Sequence, residues 1–304
     1  MNDVTARVAG APITWGVCEV PGWGHQMAAD RVLAEMRSIG LRATELGPEG
    51  FLPEDSAASL LAAHGLQLVA GFVAVVLQDD EQLDQDFPAI AASIDTIASL
   101  GGSVLVVAAS TGREGYEGDD RLDTAGWAAL ARGLDRVEAA ARERGLRVAV
   151  HPHHGTVVER QEDVDRLLEV SMVGLCLDTG HVVVGGGDPV AIAAAAGSRV
   201  LHVHLKDVDG ATAERVEHGD LGYHDAVREG LYRPLGDGDV DVLGVLRRLE
   251  ESRYDGWYVL EHDAVLDREP DAESGPLQDA RRSLAFLERA WEEVGAPTER
   301  TAHG

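Results

Sequence analysis

The chain is poor in aromatic residues, in cysteine and in basic side chains. Phe, Tyr and Trp make up only 5% of 304 residues, so aliphatic side chains must fill the interior. Two cysteines, Cys18 and Cys176, are too few for a disulfide framework. A chain this long buries enough surface to fold without one. Cys176 lies within an apolar run, where a thiol behaves as a small core residue. Lys and Arg number 26 against 53 Asp and Glu, a net charge of −27. Such a surface repels phosphate backbones, and no Lys/Arg cluster interleaved with aromatics offsets it, so nucleic acid is not expected as a partner. No apolar stretch approaches the roughly 20 residues that span a bilayer, so no membrane partner is expected either. Met1–Val8 has neither the basic nor the apolar region of a signal peptide, and a reducing cytoplasm is the expected setting.

What is present is alternation. Strands are expected at Ala11–Gly16, Leu41–Gly47, Leu66–Val76, Ser103–Ala109, Leu146–His151, Val173–Asp178, Val200–Leu205 and Trp257–Glu261. Their short Val/Leu-rich runs read as buried parallel strands. Helical patterns lie between them: Ala28–Ser38, Ala57–His64, Ala91–Leu100 and Trp127–Arg144. Each is closed by a glycine (Gly40, Gly65, Gly101, Gly145), a C-cap signature. Strand and helix alternate with no break in composition, which predicts one α/β domain over residues 1–304. Its length suits a single (β/α)8 TIM barrel, typically roughly 250 residues, with a frayed polar tail from about residue 295. Two long connections, Ser110–Thr124 and Lys206–Asp239, follow the fourth and seventh strands. The second carries a helical piece at Leu221–Glu229. Long loops on that face shape a pocket or lid.

Four strands of the later half end in metal-type ligands: His151, Asp178, His204 and Glu261. One such residue is unremarkable. Four at consecutive strand ends predict convergence on one site, at the barrel face where catalytic groups gather. A carboxylate ending a buried strand needs a partner to offset its desolvation, and a cation is the simplest. Imidazole with carboxylate suits one divalent ion, with Mn or Co leading and Zn, Fe or Mg as alternatives. His153, His181 and Lys206 follow the ligands by two or three residues, and Glu45 ends the second strand. These four are candidate proton carriers, charge stabilisers or orienting groups. Trp15, at the end of the first strand, is a candidate wall of the pocket. Gly236-Asp237-Gly238 marks a turn before the last αβ unit.

These residues carry a resemblance. The matching segments include Ala11-Pro-Ile-Thr-Trp15, Ala43-Thr-Glu-Leu-Gly47, His151-Pro-His-His-Gly-Thr156, Leu177-Asp-Thr-Gly-His181 and Gly186-Gly-Asp-Pro189. Further on are His202-Val-His-Leu-Lys-Asp207, Asp225-Ala-Val-Arg-Glu-Gly230, Pro234-Leu-Gly-Asp-Gly238 and Tyr254-Asp-Gly-Trp257. The chain resembles the xylose isomerase-like TIM-barrel superfamily of sugar isomerases and epimerases, most closely its inosose (2-keto-myo-inositol) dehydratase branch. The resemblance implies a metal-dependent carbon–oxygen lyase of inositol catabolism, acting on a small keto-polyol. It also implies Trp15, Glu159, Arg228 and Asp237 as substrate contacts. Epimerases of this superfamily place a metal-bound glutamate on strand five opposite another on strand eight, and the pair exchanges a proton on both faces of the sugar. Here strand five ends in His151, which favours elimination. The alternatives are a ketose or keto-sugar isomerase or epimerase using Glu45 or Glu159, and a lyase acting on 3-keto-glycosides. An endonuclease on this barrel is disfavoured by the charge of −27. A homo-oligomer is left open.

Overall fold

A computed structural model describes residues 4–113 and 121–295. The middle of the expected 110–124 loop and the tail beyond 295 lie outside the described residues.

Nine strand segments pair in parallel in one sheet. They are β1 (Val8–Gly10), β2 (Ala43–Thr44), β3 (Gln67–Leu68 and Ala70–Val75), β4 (Val104–Ala109), β5 (Arg147–Val150), β6 (Gly174–Asp178), β7 (Val200–Leu205) and β8 (Tyr258–Leu260). The two segments of β3 are one strand bent at Val69. Val69 donates to Thr44 of β2, and its carbonyl accepts from Ser103 before β4. That bend joins both edges of the sheet, so the ring closes as an eight-stranded barrel. Its interior is filled by small side chains, among them Ala9, Ala43, Val106, Ala149 and Cys176, all buried. The alternate residues, such as Leu105, Val107, Leu175 and Leu177, pack outward against helices.

The four glycines read as helix stops all hold positive φ, 93° at Gly40, 62° at Gly65, 86° at Gly101 and 81° at Gly145. The helix that ends at Ser99 starts at Asp80 rather than at the expected Ala91. Pro88 lies inside it, a break that local chemistry suggests. The Asp79 carboxylate caps the N–H groups of Glu81 and Gln82 and sets the start of this longer helix. The first strand is also displaced. The expected Ala11–Gly16 is a short 3-10 turn, Pro12–Trp15, while the sheet is entered by Val8–Gly10. Pro12 has no N–H to give a neighbouring strand.

Two helices, Thr179–Val184 and Pro189–Ala196, follow β6. The long connection after β7 is folded. It holds helices Gly210–Glu217 and Tyr223–Glu229 and an antiparallel ribbon pairing Asp207–Val208 with Tyr232–Arg233. The last helix, Pro276–Gly295, closes the barrel wall. No helix among the described residues is long and apolar enough to cross a membrane.

Candidate metal centre

Four strand ends bring His151, Asp178, His204 and Glu261 together. His151 Nε2 lies 3.2 Å from Asp178 Oδ2 and 3.1 Å from His204 Nδ1. His204 Nδ1 lies 3.4 Å from Asp178 Oδ2 and 3.1 Å from Glu261 Oε2. Asp178 ends β6 and begins the helix Thr179–Val184. Its Oδ1 accepts from the His181 N–H at 2.8 Å, which turns Oδ2 inward.

The donor set can be tested for its fit to an ion. Both nitrogens of His204 face carboxylates. Nε2 points at Glu45 Oε1, 3.1 Å away, and that bond fixes the proton on Nε2. Nδ1 then turns a lone pair toward Asp178 and Glu261, an arrangement that repels unless a cation or a proton intervenes. The four neighbouring pairs of ligand atoms, 3.1–3.4 Å apart, match the edges of a coordination shell of about 2.1 Å radius. The residues fit a divalent ion. Among the described residues three groups could hold an ion, Asp178–His204–Glu261, which His151 adjoins, Glu45–His202–His204 and His151–Cys176–His204, and all share His204. In the second, Glu45 already accepts from both imidazoles, with His202 Nε2 at 2.8 Å. In the third, burial pushes the Cys176 thiol up to about 11, so it stays protonated.

Charges around the centre are tightly set. Burial opposes a charge on Lys206, yet Asp178, Asp263 and Glu261 hold its pKa well above the usual range. Its Nζ lies 3.2, 2.9 and 2.7 Å from those three carboxylates. Burial raises Glu261 to about 7 despite His204 and Lys206. Asp178 is held well below the carboxylate range. Its burial is outweighed by Lys206, by His181 and by hydrogen bonds from His151 and His204. Burial lowers His151 to about 4. His204 goes the other way. Burial disfavours its charge, but Glu261, Glu45 and the hydrogen bond to Asp178 hold it well above the histidine range.

His153 and His181 form a pair beside His151, their ring centroids 3.8 Å apart. Burial holds both well below the usual histidine pKa, so both are neutral. His153 Nδ1 lies 2.7 Å from the His154 carbonyl, so Nδ1 carries the proton and donates, and Nε2 bears the lone pair. A cleft of about 1280 Å3 reaches from the centre past Phe72 to helix Asp80–Ser99. His151, His153, His204, Lys206 and Glu261 line one side of it.

The other expected site residues stand elsewhere. Trp15 is fully buried, and its indole donates to Glu35 of helix Ala29–Ser38 at 2.8 Å. The 3-10 turn aims it away from the cleft. Glu159 accepts from His154 Nδ1 at 2.7 Å and from the Gly155 N–H at 3.1 Å, so it fastens the loop after β5. Arg228 is exposed and paired with Asp267. Asp237 is paired with Arg282 on the surface. Its neighbours Gly236 and Gly238 both donate to Asp207 Oδ2, at 2.8 and 3.1 Å. Glu45 does reach the centre, but as the acceptor for His202 and His204. Two further groups stand at the site without having been singled out. His202 shares the inward face of β7 with His204, two residues on. Asp263 follows Glu261 by two and binds both Lys206 and, through Oδ2 at 2.8 Å, the Tyr223 hydroxyl.

Comparison with known proteins gives relatives for this arrangement. A protein named "Rhizopine catabolism protein MocC", from Rhizobium meliloti, is 37% identical over 268 residues, 85% of this chain and 82% of that protein. An inosose dehydratase from Geobacillus kaustophilus is 30% identical over 294 residues, 93% of this chain and 94% of the other. The structure titled "Structure of L-ribulose 3-epimerase" superposes with a TM-score of 0.70 over 95% of this chain and 96% of that one, at 16% identity, a likeness of fold alone. The dehydratases and epimerases among these relatives are enzymes. The family model described as "Xylose isomerase-like TIM barrel" matches residues 33–290, from helix Ala29–Ser38 to the last helix, with all four strand-end ligands inside that span. A match that includes the centre as well as most of the barrel settles the assignment: the chain belongs to the xylose isomerase-like TIM-barrel family.

Proposed function

We propose that the protein is a metal-dependent dehydratase that removes water from a keto-polyol, with 2-keto-myo-inositol as the leading substrate. The observation that carries this reading is the end of β5. It presents His151 and, two residues on, His153, where an epimerase of this architecture needs a second acid/base carboxylate opposite Glu261. The two carboxylates that would replace it are engaged. Glu45 accepts from His202 and His204, and Glu159 fastens the β5 loop. The inosose dehydratase relatives support the same reading.

A divalent ion held by His151, Asp178, His204 and Glu261, with Mn or Co preferred, would supply a Lewis acid for a ketone oxygen. The chain's own groups do the rest. Neutral His153, with its lone pair on Nε2, takes the proton from the carbon beside the ketone. The C–H electrons form the new double bond as the C–O bond to the β-hydroxyl breaks. The proton held by His153 goes to that hydroxyl, which leaves as water. Lys206, charged and donor-only, stabilises negative charge developing on the substrate oxygen. His181 supports this from outside the reacting atoms: its backbone orients Asp178 and its ring packs on His153. The expected setting is cytoplasmic, where the free thiols Cys18 and Cys176 stay reduced.

The test is incubation of the metal-loaded protein with 2-keto-myo-inositol. A dione product absorbing in the near ultraviolet is expected. Conversion of ketohexoses to their epimers, with no loss of water, would overturn the reading in favour of an epimerase.

A further inference from the structure

The mouth of the barrel is divided. Strands β5 to β8 and the residues just after them supply every candidate ligand and, apart from Glu45 at the end of β2, the charged groups at the centre. Strands β1 to β4 face them with Ala11, Ile13, Phe72 and Ala74. Inward-facing residues elsewhere in the barrel, such as Val106 and Ala149, are buried. On β3, Phe72 and Ala74 are exposed. Phe72 is 39% exposed, and the other exposed large hydrophobic residue among those described, Met172, follows the helix Gln161–Val170. The Phe72 ring stands edge to face with His151, centroids 6.1 Å apart and planes at 83°. An aromatic ring held open to solvent in a cleft, beside a candidate metal ligand, is placed to meet a ligand. The cleft offers little to an anion. Among the described residues Lys206 is its one Lys or Arg and is held by three carboxylates, while Glu19, Glu49 and Glu54, all exposed, also line it.

We propose that Phe72 selects the shape of the substrate: its ring packs on the C–H face of an uncharged cyclic polyol. This rests on the keto-polyol reading above and narrows it to rings. A cyclic polyol in its chair form, with most hydroxyls equatorial, turns axial C–H bonds to its faces and hydroxyls to its edge, and a flat aromatic surface covers such a face without loss of hydrogen bonds. An open-chain polyol turns hydroxyls toward every side and leaves some facing Phe72 without partners. With the ring on Phe72, the polar edge of the substrate faces His153, Lys206 and the ligand set.

The experiment measures binding of two unreactive probes to the metal-loaded protein by titration calorimetry: myo-inositol, cyclic, and D-glucitol, open-chain. Wild type, Phe72→Leu, Phe72→Tyr and Phe72→Ala are compared. Wild type should prefer the cyclic probe by about three- to tenfold, the scale of one well-packed aromatic contact. Phe72→Ala should lose about that factor for myo-inositol and less than about twofold for D-glucitol. Phe72→Leu should fall between, and Phe72→Tyr should keep the preference. With 2-keto-myo-inositol, KM should rise by the same factor while kcat stays within about twofold, because the contact is made equally in the ground and transition states. Equal losses for both probes would overturn the proposal. So would weaker metal binding in Phe72→Ala with the cyclic preference unchanged, since the ring would then serve only to pack His151. A wild-type protein that dehydrates nothing, yet binds the cyclic probe through Phe72, would sink the dehydratase reading and support this inference.

Discussion

Replacing Glu45 separates orientation of the metal ligands from proton transfer. Its Oε1 accepts from His202 Nε2 at 2.8 Å and His204 Nε2 at 3.1 Å. Burial works against its charge, but His204 and the His202 hydrogen bond hold the carboxyl well below its usual pKa, so it is ionised. The carboxylate keeps the His204 proton on Nε2 and leaves Nδ1 for the metal. Partners of this kind typically contribute tenfold to 100-fold to metal affinity. Glu45→Gln keeps an acceptor oxygen and loses the charge, so the metal Kd should rise about tenfold, or about 1.4 kcal/mol. Glu45→Ala removes the acceptor as well, and the rise should be about 100-fold, or about 2.7 kcal/mol. It also leaves two buried N–H groups unsatisfied, at about 1–3 kcal/mol each, so its urea midpoint should fall too. Metal titration of the apoprotein, followed by fluorescence or calorimetry, gives the Kd values. If Glu45→Gln and Glu45→Ala bind metal as wild type does but have lost turnover, Glu45 is a proton carrier. The orienting role would then be wrong and the epimerase alternative favoured.

Three other outcomes are expected. His151→Glu should keep the metal, because carboxylate suits Mn or Co. It should lose dehydration by about 100-fold or more and gain deuterium at the carbon beside the ketone in heavy water, which NMR would detect. The metal-free chain should lose stability as pH falls below about 6.5. Burial holds His151 at about 4 and lowers His153, His181 and His202, so the unfolded chain binds more protons there. His262 is lowered by burial as well, and the raised Glu261 acts in the opposite sense, whereas His204 is protonated in the folded and unfolded chain alike below about pH 6.5. The unfolding free energy from urea titrations should drop by about 1.4 kcal/mol per pH unit near pH 5 for each proton the unfolded chain binds in excess, and flat values from pH 7 to 5 would contradict the burial of those imidazoles. Gly133→Ala should destabilise the fold by about 1–3 kcal/mol, read as a lower thermal midpoint, because its Cβ would lie 2.4 Å from the Leu77 carbonyl oxygen.

The barrel was legible because each strand is a short aliphatic run and each of four helices stops at a glycine. The positions of His151, Asp178, His204 and Glu261 were legible because all four end such runs. What surrounds them was harder to read. Glu45 and His202 are 157 residues apart, and no local pattern joins them. His202 did carry a signal, since a histidine two residues before a ligand on the same strand shares its face. Asp263 carried the same signal beyond β8. Trp15 was misplaced because Pro12 turns the chain out of the sheet before the indole is reached. Arg228 and Asp237 sit in conspicuous motifs, yet each finds an opposite charge on the surface. Phe72 lies within the apolar run Leu66–Val76, where composition cannot tell a core residue from one facing the cleft.

The central claim is that one divalent ion joins four strand ends. Anomalous diffraction from crystals loaded with Mn tests it most directly. The account predicts a single strong peak per chain, about 2.0–2.3 Å from His151 Nε2, Asp178 Oδ2, His204 Nδ1 and Glu261 Oε2. A peak between Glu45 and His202, or no peak within reach of these four atoms, would contradict it.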